Sequence, residues 1–472
     1  MKASTLFRFA VLPALLLLAS CAVGPDYHRP VVEAPAFQAA GNWKPAAPAA
    51  DVPRGTWWVA YSDPVLNDLE ARAEKSSNTL LIAQAQYQQV LDSVTIAYSA
   101  LYPAINATGS AERNRTVAKG ATAADVQNSF GAGLAASWEL DLWGTVRRGL
   151  EAGRATAEAS AADLESVRLT LHAAVAQTYF QLRVADTQLS LYARTVADLT
   201  RSLQMTQNRY AQGVDTRANV ATAETQLKTA QAQAVDLGLT RAQLQHALAV
   251  LLGVPPASFA LAPADLTLVP PSAPELIPSQ QLEHRPDIAG AERRLAAASA
   301  EIGIAKGGYF PVISLSGSAG FSGPSLSHLF SAPQEIWSVG GSLAAPLFNA
   351  GKVKAQVAQA RAAYDEALGN YRQTVLTAFQ EVEDNLAAST LLAQEAALQE
   401  EAVAAARQAT TITLNQYKAG TISYLDVVVA QSAQLNAERA SAEILGRRLN
   451  ASVVLFKAAG GTWNTPDNQT KR

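Results

Sequence analysis

Residues 310–321 read Phe310-Pro311-Val312-Ile313-Ser314-Leu315-Ser316-Gly317-Ser318-Ala319-Gly320-Phe321. Ile313, Leu315, Gly317, Ala319 and Phe321 alternate with Val312, Ser314, Ser316, Ser318 and Gly320, the two-residue period of a strand with one apolar face. A second alternating run follows a loop, with Trp337, Val339, Gly341, Leu343 and Ala345 facing one way and Ile336, Ser338, Gly340, Ser342 and Ala344 the other. Together they predict a hairpin of about ten-residue strands. Small polar residues on one face and aromatics near the strand ends fit strands tilted across a bilayer beside a wet lumen. A soluble hairpin packed on a helix would alternate in the same way, and that reading stands beside the first.

The same stretch occurs earlier in the chain. Leu101-Tyr102-Pro103-Ala104-Ile105 echoes Tyr309-Phe310-Pro311-Val312-Ile313 at an offset of 208, and Gly109-Ser110-Ala111 matches Gly317-Ser318-Ala319. Further on the offset is 207, pairing Gly144 with Gly351, Val146 with Val353, Tyr210 with Tyr417, Gly213 with Gly420, Val220 with Val427 and Gly253 with Gly460. Matches in register along both halves, prolines and glycines included, indicate one fold unit written twice. The first copy therefore predicts its own hairpin, with Ile105, Ala107, Gly109 and Ala111 on one face of its first strand and Phe130, Ala132, Leu134, Ala136 and Trp138 on one face of its second. Four strands cannot close a barrel, and open strand edges cannot sit in lipid. If these strands span a membrane, several chains share one barrel.

No proline occurs between Pro103 and Pro255 or between Pro346 and Pro466, so long helices can follow each hairpin. From Gly351 to Tyr417 the apolar positions Val357, Tyr364, Leu368, Tyr371, Val375, Ala378 and Val382 recur nearly every three to four residues, a coiled-coil-like period. A helix of about 60 residues would reach roughly 90 Å, more than a globular core covers. Abundant alanine around its circumference allows contact on two sides, which favours a cylinder of helices over a bundle. Each long segment breaks once, at Tyr210-Ala211-Gln212-Gly213-Val214-Asp215-Thr216 and at Tyr417-Lys418-Ala419-Gly420-Thr421-Ile422-Ser423. Gly213 and Gly420 suit the position that follows a helix with positive φ, and Asp215, Thr216 or Ser423 can cap the returning helix. These are helical hairpin tips. They read either as the far end of a tunnel that meets a partner or as plain turns between core helices.

At the N-terminus, Lys2 and Arg8 precede an apolar run from Phe9 to Ala19, too short to span a bilayer as a helix, so residues 1–20 read as a signal peptide. The run ends Leu18-Ala19-Ser20-Cys21, which resembles the lipobox at which bacterial lipoproteins are cleaved and acylated; a buried cysteine in an ordinary signal sequence is the alternative. Ala22, where bacteria commonly place Asp for inner-membrane retention, favours by the same resemblance the outer membrane. Pro25, Pro30, Pro35, Pro45, Pro48 and Pro53 make residues 21–64 a lipidated tether and equatorial segment, or else a disordered linker. Repeat 1 is then 65–254, a Pro-rich connector 255–278, repeat 2 279–463 and the tail 464–472. In each repeat a helix precedes the hairpin and long helices follow it.

Lys and Arg number 37 against 40 Asp and Glu, a net charge of −3, which speaks against electrostatic nucleic-acid binding. One cysteine and five scattered histidines (His28, His172, His246, His284, His328) offer no disulfide framework and no metal-ligand spacing. Gly131-Ala132-Gly133-Leu134-Ala135-Ala136 formally resembles a dinucleotide loop but lies inside an alternating strand, and Gly351-Lys352 has Pro346 where a phosphate loop has its first glycine. No catalytic constellation stands out, and the reading is of a protein that is not an enzyme and needs no cofactor beyond a covalent lipid on Cys21.

The stretches Cys21-Ala22-Val23-Gly24-Pro25-Asp26-Tyr27 with Arg29-Pro30, Trp57-Trp58 with Asp63-Pro64, Arg285-Pro286-Asp287-Ile288, and Phe310-Pro311 resemble the outer-membrane efflux family of TolC and OprM, more closely its lipoprotein branch that serves RND-type pumps. The resemblance covers essentially the whole mature chain. It implies a mainly α fold with membrane β-strands: a homotrimer whose twelve-stranded β-barrel continues into a long periplasmic α-helical barrel. It also implies a passive, gated exit duct for small molecules, lipid-anchored in the outer membrane, joined by a periplasmic adaptor (a membrane fusion protein) and an inner-membrane RND-type pump. The adaptor would dock at the tips, around Gly213, Val214, Asp215, Gly420, Thr421 and Ile422. The family's inner gate commonly uses an Asp and an Arg three residues apart; here those positions hold Val429 and Ser432. Closure is therefore expected from apolar constriction around Leu425 and Val429, with Asp426 or Arg217 supplying polar links, or else these residues serve helix packing and a solvated face. Two other functions compete: the outer-membrane channel of a type I protein secretion system, against which Cys21 counts, and a non-channel structural periplasmic lipoprotein.

Overall fold

A computed structural model describes residues 22–30, 55–116, 125–271 and 285–461. The predicted signal peptide, the acylation site Cys21, the tether from 31 to 54, the end of the connector, the start of repeat 2 and the tail 464–472 lie outside the described residues. The elements run α1 (Pro64–Ser76), α2 (Asn78–Ser99), β1 (Ala104–Thr116), β2 (Asp125–Glu139), α3 (Thr145–Ala211), α4 (Arg217–Leu251), α5 (Pro286–Gly307), β3 (Val312–Gly323), β4 (Glu335–Ala344), α6 (Lys352–Lys418) and α7 (Tyr424–Ala458). The duplication is metrical: α3 and α6 each have 67 residues, α4 and α7 each 35. The described residues fall into two compact units, one within 22–30, 86–161 and 290–372, the other within 55–85, 162–289 and 373–461.

The first unit holds a four-stranded antiparallel sheet in the order β1-β2-β3-β4. Its register joins the alternating sets of both hairpins into two faces. Ala107 lies opposite Leu134, Leu134 opposite Ala319, and Ala319 opposite Trp337, so one face carries Ile105, Phe130, Leu134, Trp138, Leu315, Phe321, Trp337, Val339 and Leu343. The other face carries Asn106, Thr108, Ser110, Ser129, Ser137, Ser314, Ser316, Ser318, Ser338 and Ser342, with the Ser318 and Ser338 hydroxyls 2.8 Å apart. Ile105, Leu134, Trp337, Val339 and Leu343 are exposed, the reverse of a sheet that hides its aliphatic side. β1 and β2 have 13 and 15 residues, longer than the ten expected. The extra length is the run Glu112–Thr116 and its partners, where charged and amide side chains replace the alternating pattern.

The quoted N-terminal stretch also acquires a physical reason. The Val23 amide donates to the Trp143 carbonyl at 2.9 Å, Asp26 pairs with Arg148 at 2.8 Å, and the Tyr27 hydroxyl donates to Glu292 at 2.6 Å. Gly24 packs so closely on Gly303 that a Cβ on it would lie 2.5 Å from the Gly303 Cα. The strap from Val23 to Tyr27 is thus held by backbone, charge and the absence of side chains at Gly24 and Gly303.

The second unit contains the aromatic core. Trp57 stacks on Phe456 at 5.4 Å, and Tyr61, Leu66, Leu69, Tyr179, Phe180, Leu248, Leu252 and Leu449 bury around them. Asp63 caps α1, accepting from the Val65 and Leu66 amides at 2.8 and 3.2 Å with Pro64 in the first helical position, and it also accepts from the Tyr179 hydroxyl at 2.6 Å. Arg285 is buried between Asp287 at 2.7 Å and Glu381 at 2.8 Å. Among the described residues no helix is long and apolar enough to cross a membrane, a criterion that does not bear on strands.

Candidate functional site at the helical hairpin turns

Both tips belong to the second unit and are built alike. Gly213 and Gly420 have φ of +73° and +78°, a conformation that costs other L-residues energy. After them the chain closes the helix end with the Val214 amide on the Arg209 carbonyl at 2.9 Å and the Thr421 amide on the Gln416 carbonyl at 3.0 Å, the six-to-one bond of a Schellman turn. The Thr216 hydroxyl then accepts from the Asn219 amide at 3.2 Å to start α4. At α7, the Ser423 amide and hydroxyl both donate to the Asp426 carboxylate, at 3.1 and 2.8 Å.

Of the residues expected to cap, Thr216 and Ser423 do so, while Asp215 is used differently. Its Oδ2 accepts from the Tyr417 hydroxyl at 2.7 Å, and its Oδ1 accepts from the Thr216 amide at 2.8 Å and the Asn219 side chain at 2.6 Å. Arg209 approaches the same carboxylate at 3.5 Å and lies over the Tyr417 ring at 4.8 Å. Burial pushes the Asp215 carboxyl up, but the Tyr417, Asn219 and Thr216 hydrogen bonds and the Arg209 charge outweigh it and hold the group below the usual carboxylate range. Burial foremost raises Tyr417. The Tyr417 ring lies 5.5 Å from Tyr424 in a buried cluster with Ala223, Val427 and Val428. One joint therefore binds the end of α6 to the turn between α3 and α4.

The contacts of Tyr417 and Arg209 with Asp215 are the part of the tip that sequence reasoning passed over. Their signal lay in the repeat itself: Asp215 corresponds to Ile422 and Tyr417 to Tyr210, so the pairing is asymmetric and no motif search finds it. Tyr210 is exposed, and Ile422 packs against the tyrosine cluster.

The expected gate residues do not converge in one place. Leu425 and Val429 lie one turn apart on the outward side of α7 and are 61% and 62% exposed, while their neighbours Tyr424, Val427 and Val428 are buried. That leaves a stripe of two aliphatic side chains unpartnered within the chain. Asp426 is spent on Ser423. Arg217 is exposed at the start of α4. Ser432 lines a cavity of about 330 Å³ with Tyr192, Leu199, Gln431, Leu435 and Arg439, two turns further into the helix. Among the described residues no group of histidines and carboxylates is arranged to hold a metal.

With this geometry in hand, likeness to other proteins is informative. The family described as outer membrane efflux protein matches residues 69–254 and 277–461. The pyoverdine export outer membrane protein OpmQ of Pseudomonas aeruginosa is 32% identical over 472 residues, covering 97% of each chain. The solvent efflux pump outer membrane protein SrpC of Pseudomonas putida is 31% identical, covering 98% of this chain and all of that one (100%). Among solved structures, the outer-membrane channel OprN superposes with a TM-score of 0.85 at 29% identity, covering 94% of this chain and 100% of its own. The open state of the Neisseria gonorrhoeae MtrE outer membrane channel superposes with a TM-score of 0.79 at 29% identity, covering 93% and 98%.

Proposed function

The chain belongs to the outer membrane efflux protein family, and from that premise we propose that it is the outer-membrane component of a tripartite RND-type efflux system, a passive gated duct through which small molecules leave the cell. The observation that carries the proposal is the sheet. One face is aliphatic and aromatic and exposed, the other is lined by serine and threonine, and both edges, β1 and β4, lack a partner strand among the described residues. Such a sheet is stable in lipid only when its edges are paired and its polar face meets water. Three copies, each giving four strands, would meet both conditions.

In this reading the long helices continue the pore through the periplasm, the hairpin tips meet a periplasmic adaptor, and the inner-membrane pump supplies the energy. No bond is made or broken. The duct is held shut at its periplasmic end by Leu425 and Val429, whose exposed stripe would close on its copies around the axis, and the Asp215–Tyr417 joint keeps each pair of hairpins together. Acyl chains on Cys21 would anchor the strap that begins at Ala22 in the inner leaflet of the outer membrane. Single-channel conductance of the purified protein in planar bilayers, with cross-linking to count chains, tests it. A trimer with small, rarely opening currents is expected; a monomer without conductance would sink the shared barrel.

A further inference from the structure

In each copy of the repeat the chain leaves the second strand of its hairpin and turns into a 67-residue helix, but among the described residues only the first of these turns packs on a neighbouring strand. After β2, the Leu140 amide donates to the Ile313 carbonyl at 2.8 Å. Trp143 stacks on Phe310 at 4.9 Å, and its indole donates to the Pro311 carbonyl at 2.7 Å. These contacts extend the β2–β3 seam beyond its last ladder pair, Glu139 opposite Ser314. After β4, Leu347, which corresponds to Leu140, is 97% exposed and Phe348 beside it 90%, while Ala350 stands where the first copy has Trp143. At the opposite edge, Tyr102 and Ile105, which correspond to Phe310 and Ile313, are exposed as well.

The hairpins themselves verify this correspondence. Adding 208 to a β1 residue and 207 to its β2 partner gives an observed β3–β4 pair: Ala107 opposite Leu134 becomes Leu315 opposite Gly341, and Ile105 opposite Ala136 becomes Ile313 opposite Leu343. The turns agree too, since Gly144 and Gly351 have φ of +78° and +86° and each opens its long helix. The internal seam between β2 and β3 is therefore a template for the seam that β4 makes with β1 of another copy.

We infer that β4 pairs with β1 of a second copy of this chain in the register that places Ser342 opposite Ser110, Leu343 opposite Gly109 and Ala344 opposite Thr108, with the Leu347 amide donating to the Ile105 carbonyl. The inference rests on the shared-barrel reading above and adds the register which that reading leaves open. A slip of one residue would turn one copy's aliphatic face to the lumen. A slip of two keeps the faces but breaks the Leu347 contact and gives this seam a stagger different from the β2–β3 seam, whereas a ring closes only at one fixed total shear. The two edges are complementary without being alike, the head-to-tail kind of interface that builds rings.

Cysteine pairs read the register directly. Leu140 and Ile313 form a hydrogen-bonded pair, so by alternation Ala135 and Ser318 form a non-hydrogen-bonded one. Ser342 and Ser110 correspond to that pair, with Cα atoms expected about 4.5 Å apart, inside disulfide range. The full-length Ser110→Cys/Ser342→Cys variant, oxidised in its membranes, is expected to give a covalent three-chain species on a denaturing gel, while each single variant runs as one chain. Thr108→Cys/Ser342→Cys and Glu112→Cys/Ser342→Cys, diagonal at roughly 7–8 Å, should not cross-link. Cross-linking of either diagonal pair in preference to the first overturns the register and leaves the shared barrel standing. Cross-linking of no pair also overturns the register. The chain count in detergent, three or one, then decides whether the barrel falls with it.

Discussion

The Asp215 carboxylate and the Tyr417 hydroxyl, 202 residues apart in the chain, meet at 2.7 Å where the two hairpin turns come together. The bond joins the two repeats through an asymmetric pair, since Asp215 corresponds to Ile422. Tyr417→Phe removes it while leaving Asp215 its contacts to Asn219, Thr216 and Arg209. A hydrogen bond to a charged group is worth about 1.5–3 kcal/mol, so if the bond is lost on opening the closed state loses roughly ten- to a hundredfold in population. Open probability in single-channel recordings should rise by that order. An open probability and a melting temperature both equal to wild type would show that the joint carries nothing. The carboxyl is held low in the folded chain, so its contribution is complete above the ordinary carboxylate pKa of about 4 and fades only as pH falls further; between pH 5 and 8 the joint should be insensitive to pH.

The aliphatic stripe makes a separate prediction. Leu425 and Val429 touch little of their own chain, so replacing both by serine should leave the unfolding free energy within about 0.5 kcal/mol of wild type, the scale of surface substitutions. Conductance and leakage of small solutes should increase, because a constriction that excludes water by its apolar surface wets when hydroxyls line it. Val429→Ser alone should do part of this. Unchanged conductance in the double variant would remove the stripe from the gate.

The fold was legible in the sequence wherever a period was long. The two-residue alternation around Ser314–Phe321 placed the hairpins on the faces they occupy, and the proline-free segments placed the 67-residue helices. Gly213 and Gly420 were legible because a backbone conformation selects the residue. The joint was not, since it depends on where two helices end relative to one another, and a tyrosine before a turn reads the same at Tyr210, which is exposed, and at Tyr417, which is buried. The partner of Asp426 was not legible either: the sequence offered a polar link or a packed or solvated helix face, and the structure bonds the carboxylate to Ser423, three residues before it at the helix start.

In the second unit, the His172 ring bridges two carboxylates, with Nδ1 2.7 Å from Glu70 and Nε2 3.0 Å from Glu74, while Arg168 meets Glu74 at 3.1 Å and pairs with Glu165. Both hydrogen bonds need a proton, so the trio holds either an imidazolium or a neutral ring with one protonated carboxyl. Burial pushes Glu70 up to about 7, partly opposed by its bond to His172. A carboxyl whose folded pKa is raised binds its proton more tightly in the folded state. Stability is then full below the ordinary glutamate pKa of 4.5 and is lost as pH rises from there to about 7, by up to about 3 kcal/mol. The melting temperature should fall between pH 4.5 and 7 and level off above, and Glu70→Gln, which keeps shape but cannot ionise, should flatten that slope. A wild-type melt independent of pH over this range would exclude the coupling.

The Ser423–Asp426 contact separates a cap from a gate link. As the opening bonds of α7, the two side chains serve one purpose, so Ser423→Ala and Asp426→Ala should each cost about 1 kcal/mol and the double variant little more than either. Amide exchange should quicken in the first turn of α7, around Leu425 to Val428, and not in α4. An Asp426 that instead links chains would behave otherwise: its loss would raise open probability in the Ser423→Ala background as much as in wild type. A non-additive pair with local fraying assigns Asp426 to the helix start and leaves closure to Leu425 and Val429.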